Sequence, residues 1–267
     1  MKITPKSLRK ELAKLLKTLD VPYRSIEVRR NPGIDMIIGL NWDEEGNMLL
    51  QYRDLIKDYS LGEIRSVLKH EVCHYLSLPA SRMVSKTGKI TNEVKYALVY
   101  REYLAHREFK ERFGDEEGLR SYHVKHFPMY DQMVEGARKI LSLKKFGEYP
   151  VVVNVAFAFM YDAMYFYVMD GGEFRDWCRK NNLKSLDLFL TWVREDMEYF
   201  YMLDLAQEDK ENLVQDAVVF PLSLDFGSMF MDDRIVVHKS IADDRWKGKG
   251  ELEERWKMRV IARGSIV

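Results

Sequence analysis

A chain of 267 residues that is 46% hydrophobic and 31% charged can bury one large core or two small ones, and it is too apolar to be disordered. Its 42 basic and 42 acidic residues cancel and no long basic block stands out, so nothing electrostatic points to nucleic acid as the main partner. Two cysteines, Cys73 and Cys178, are too few for a disulfide framework and suit a reducing compartment, so a cytoplasmic location is expected.

The first twenty residues carry charge throughout and no apolar h-region, unlike a signal peptide. Residues 5–19 predict an amphipathic helix with Leu8, Leu12, Leu15, Leu16 and Leu19 on one side and Pro5 in its first turn. Three strand-like segments follow: SIEVRR (25–30), IDMIIGL (34–40) and NMLLQYRD (47–54), separated by Asn31-Pro32-Gly33 and by the turn DEEGN (43–47). Connections this short favour an antiparallel meander.

Ser60 and Glu63 form a Ser-x-x-Glu capping box, which starts a helix at Leu61 that runs to about Leu78 and stops at Pro79. ASRMVSKTGK (80–89) reads as a loop, and a second long helix covers 92–113, ended by Gly114. Further helices are expected at 116–125, 129–144, 150–169, 172–181 and 184–206, then a strand near 234–238 and a helix in ELEERWKMRVIA (251–262). The run VVVNVAFAFMYDAMYFYVM (151–169) is almost long enough to span a bilayer, but Asp162 would be costly in lipid, so it is read as a helix buried in protein and no membrane partner is expected. The class is therefore α+β, a small antiparallel sheet with helices and then a mostly α-helical C-terminal half, with a boundary placed between 1–125 and 126–267.

Within the helix at 61–78 stands His-Glu-x-x-His, residues 70–74. On a helix, positions i and i+4 lie about 40° apart and about 6 Å along the axis, so His70 and His74 aim at one point, as two ligands of a tetrahedral zinc must. Glu71 lies about 100° round from His70, within reach of a water beside such an ion, where a carboxylate can move a proton. Chance alone would place this pattern in roughly 1% of chains of this length. Capping box and apolar spacing make the helical setting firm.

A catalytic zinc takes three protein ligands. Glu102 is the first candidate for the third. It shares a stripe with Leu98, Val99, Ala105, His106 and Phe109, where an acid is expensive unless paired or bound to metal. A salt bridge to Arg101 or Lys95 is the competing explanation. His106 is a rival ligand on the same face. His123 and His126, three apart, could also converge on a metal, although beside Pro128 they read more simply as a solvated pair. Cys73 reads as a packing thiol, and Asn154 and Asp162 as an internal hydrogen-bonded pair.

HEVCH (70–74) followed by EYLAHREF (102–109) resembles the zincin metallopeptidases, in the gluzincin branch whose third ligand is a glutamate on the next helix. The spelling of the second segment is similar to the ImmA-like peptidases. The resemblance covers about residues 20–113. It implies one zinc ion held by His70, His74 and Glu102, with Glu71 as general base to a metal-bound water. It implies a peptide or protein substrate laid along an edge strand, for which the third strand segment, leading toward the zinc helix, is the natural choice. Where several gluzincins place Asp or Asn to orient a ligand histidine, this chain has His106. That residue, Tyr100 and Tyr103 are candidate donors to the substrate carbonyl, and His106 is carried with Glu71 as catalytic. The expected activity is a zinc-dependent endopeptidase or aminopeptidase. The alternatives are a non-catalytic protein on the same scaffold with a binding or regulatory role, and a zinc hydrolase of non-peptide amides.

Overall fold

The computed structural model describes residues 3–33, 37–77, 91–144, 147, 149–238, 247–248, 250–263 and 265–266. The loop expected at 80–89 and the stop at Pro79 lie outside these residues. The chain forms two compact units, Met1–Arg82 with Leu104–Lys125, and Met83–Tyr103 with His126–Val267.

The first unit opens with α1 (Pro5–Thr18), capped by Thr4 and Ser7, whose side chains and backbone N–H groups bond reciprocally. Leu8, Leu12 and Leu16 are buried, each contributing about 1.5–3 kcal/mol of apolar burial, and the helix packs on β1 (Ser25–Arg30). Two more strands, β2 (Ile38–Trp42) and β3 (Asn47–Tyr52), complete a sheet of order β1-β3-β2. β1 runs parallel to β3 and β2 antiparallel to it. The sheet is therefore mixed rather than an antiparallel meander, and β3, expected at the edge, is its centre. Only β2 and β3 form the hairpin that a short connection encodes. In its turn Asp43 accepts the backbone N–H groups of Glu45 and Asn47, and Gly46 takes the left-handed conformation at φ 79°.

Helix α2 (Leu61–Ser77) begins at the expected capping box: Glu63 N–H donates to Ser60 Oγ at 3.2 Å, and Ser60 N–H to Glu63 Oε2 at 2.6 Å. It is buried on nearly every side, through Ile64, Val67, Leu68, Val72 and Cys73 as well as His70 and Glu71. It packs against β2, α1 and the short helix α4 (Glu117–Val124). Helix α3 (Asn92–Phe113) gives its second half to this unit, where Phe109 and Phe113 pack together and Lys69 lies over the Phe113 ring.

The second unit is helical. It takes the first half of α3 and α5 (Phe127–Ser142), α6 (Tyr149–Asp162), α7 (Met164–Val168), α8 (Glu173–Lys180), α9 (Lys184–Met202), α10 (Gln207–Ala217), α11 (Val219–Leu222) and α12 (Phe226–Asp232). Then come β4 (Val236–Val237), α13 (Glu251–Arg263) and β5 (Ser265–Ile266), which pairs parallel to β4. Its core is aromatic: Tyr130, Phe159, Phe166, Phe174 and Trp177 pack ring on ring. The helix expected over 150–169 is two helices. The chain tightens at Ala163, whose carbonyl accepts the Phe166 N–H three residues on. The helix expected over 184–206 ends at Met202, where Leu203 turns extended. Among the described residues no helix is long and apolar enough to cross a membrane.

Candidate metal centre

The position of α2 is fixed by polar contacts along its first three turns. Burial pushes the Glu63 carboxyl up, but hydrogen bonds from Lys125, Ser121 and Ser60 outweigh it and bring the group down to about 2. Ser66 Oγ donates to Glu116 at 2.9 Å, and Lys69 bonds the other oxygen of the same carboxylate. These contacts tie α2 to α4 and its entry before the histidines are reached.

His70 and His74 then stand one turn apart with their Nε2 atoms 3.1 Å from each other. A tetrahedral ion with bonds of 2.0–2.1 Å sets two nitrogen ligands about 3.4 Å apart, close to what the helix provides unaided. His70, His74 and Glu102 form a group that could hold a metal ion, with one ligand atom of each within 4.8 Å of the others. The Glu102 neighbours Val99, Ala105 and Phe109 are fully buried, and Glu102 itself is 5% exposed. Both cations of the competing explanation have partners elsewhere. Lys95 Nζ donates to Asn154 Oδ1 at 2.6 Å, and Arg101 faces Glu211 at 3.5 Å. Two imidazoles and a carboxylate are a donor set that a catalytic zinc takes, and their spacing suits a single ion.

Glu71, also buried, turns to the sheet: its Oε2 accepts the Leu40 N–H at 3.0 Å. Leu40 is on β2, one of the two edge strands of this sheet. Arg53 N–H to Ile37 and Asp43 N–H to Asn47 show that odd-numbered residues of this strand bond β3, so Ile38, Leu40 and Trp42 turn their backbone groups outward. The edge strand thus meets the predicted base directly, a contact that no local sequence pattern encodes.

His106 is almost fully buried. Its ring stacks on His70 at 4.3 Å between centroids, 25° from parallel, and His123 stands edge-on to it at 5.6 Å. The reading of His123 and His126 as a solvated pair is corrected: His123 is 5% exposed, and His126 sits at the start of α5 with Nδ1 3.1 Å from Asp162 Oδ2. Asp162 accepts the Tyr130 hydroxyl as well, so the expected Asn154–Asp162 pair does not form. Burial pushes the Cys73 thiol up to about 12, which suits a packing group. No family model, curated protein or solved structure matches the chain.

Proposed function

We propose that this chain is a zinc-dependent metallopeptidase in which His70, His74 and Glu102 hold the metal and Glu71 is the general base. The observation that carries the reading is the convergence of two imidazoles and a buried carboxylate, with a further carboxyl group between the imidazoles in sequence. Zinc at such a site supplies Lewis acidity, bringing the ionisation of water toward neutral pH and polarising a carbonyl.

The chain's own residues supply the rest. The Leu40 N–H bond fixes the Glu71 carboxylate at the strand edge, where it takes a proton from the attacking water and returns it to the leaving amine. An extended peptide pairs with the outward backbone groups of β2, Ile38 and Trp42 flanking the level of the base. Since the Leu40 N–H is engaged by Glu71, pairing at that residue falls to its carbonyl.

Metal analysis and peptide hydrolysis of the wild type, Glu71→Gln and His74→Ala test the reading. The wild type should hold about one zinc per chain. Glu71→Gln should keep the metal and lose hydrolysis, whereas His74→Ala should lose both. Full zinc occupancy in His74→Ala would refute the ligand assignment. A zinc-loaded wild type that cleaves nothing in a broad peptide library would favour the non-catalytic alternative.

A further inference from the structure

We infer that His106 is a positioning residue that acts on His70 through the face of its ring. The inference rests on the metal reading above and extends it to how a ligand is aimed. A metal-binding histidine is commonly oriented by a hydrogen bond from its second nitrogen to a carboxylate, carbonyl or water. An imidazole's N–H and lone pair lie in the ring plane, so two rings 25° from parallel and 4.3 Å apart do not hydrogen-bond each other through their faces. What His106 offers His70 is a flat wall.

That wall is itself held. His106 is 1% exposed, and the His123 ring, also buried, stands against it at 69°. Three rings, His70, His106 and His123, therefore form a column inside one compact unit, drawn from α2, α3 and α4. Swinging the His70 ring about its Cβ–Cγ bond would drive its edge into His106. The stack leaves His70 in the orientation that brings its Nε2 to 3.1 Å from that of His74. His74 is less enclosed than His70, so the column guards the inner of the two imidazoles.

Two replacements separate face from nitrogen. His106→Phe keeps a flat ring and removes both nitrogens; His106→Leu keeps apolar bulk and removes the flat face. The readouts are zinc affinity, by competition with a chelating dye, and the visible absorption of the Co2+-loaded protein, which reports ligand geometry. His106→Leu should bind zinc roughly 10–100-fold more weakly and alter the Co2+ bands, while His106→Phe should stay close to wild type in both. His123→Leu should weaken binding in the same direction by less. If Phe is as damaging as Leu in a protein that still folds, a nitrogen is needed and the inference fails. Should Phe prove too large for the site, His106→Leu alone decides, since wild-type Co2+ bands in that variant would overturn the inference. A wild type that binds neither Zn2+ nor Co2+ would instead overturn the metal reading itself.

Discussion

The Nε2 atoms of His70 and His74 lie 3.1 Å apart across one turn of α2. Two imidazolium rings could not share that spacing without strong repulsion, whereas a cation between them, with the Glu102 carboxylate, turns the same geometry into binding energy. Metal should therefore stabilise the fold by mass action, by about 2.7 kcal/mol when free zinc is a hundredfold above its dissociation constant. The check is thermal unfolding with and without a chelator: the wild type should lose melting temperature on chelation, and Glu102→Ala should lose most of that difference. A melting temperature indifferent to chelator would contradict the site.

Glu63 makes a separate prediction about acid. Its folded carboxyl sits at about 2 against an ordinary value of 4.5, because the bonds from Lys125, Ser121 and Ser60 outweigh burial. A carboxyl depressed on folding contributes stability above its unfolded pKa and loses it as pH falls through the folded value. About 3 kcal/mol should therefore drain away between about pH 5 and pH 2. Glu63→Gln should be less stable at pH 7 and flatter across that window in urea titrations. An unchanged acid limb in Glu63→Gln would show that the bonds to Lys125 and Ser121 carry no net stability.

Much of this centre was legible because helical spacing is local. The Ser60–Glu63 box, the four-residue step from His70 to His74 and the burial of Glu102 among Val99, Ala105 and Phe109 all follow from positions a few residues apart. What escaped was long-range. β1 and β3 pair in parallel although β2 lies between them in sequence, and nothing in three short apolar segments specifies that order. The same misplacement hid Leu40 as the partner of Glu71. His123 looked solvated beside Pro128 because the His106 ring it meets comes from another helix. Helix α3 carries no compositional mark where it passes from one unit to the other. The segments that form α10 to α12 lack clear helix punctuation in the sequence, and β5 is two residues long.

In the second unit Asp196 is fully buried, and burial pushes its carboxyl up against the pull of Arg259 and Trp256. Trp256 Nε1 and Arg259 Nη1 each donate to it at 2.7 Å, pinning α13 to α9. Removing one member of such a pair strands the other in a low dielectric, so Arg259→Met should cost about 3–5 kcal/mol. Asp196→Leu combined with Arg259→Met should cost less than the sum of the single changes. Chemical denaturation of the three variants gives the coupling, and strict additivity would mean that the two groups do not depend on each other.

Gly118 tests how closely α2 and α4 approach. Glycine to alanine inside a helix ordinarily gains about 0.5–1 kcal/mol, because alanine loses less backbone freedom on folding. At residue 118 the added methyl would collide with Ser66 Oγ and lie 3.0 Å from the carbonyl oxygen of Gly62. One obstacle is a small side chain that is itself bonded to Glu116; the other is backbone that cannot turn aside. The helices would have to part, and Gly118→Ala should lose about 1–3 kcal/mol in thermal or urea unfolding instead of gaining. Adding Ser66→Ala removes the first obstacle and leaves the second, so the double variant should recover only part of the loss. A stabilised Gly118→Ala would mean that α4 sits farther from Gly62 than this packing requires.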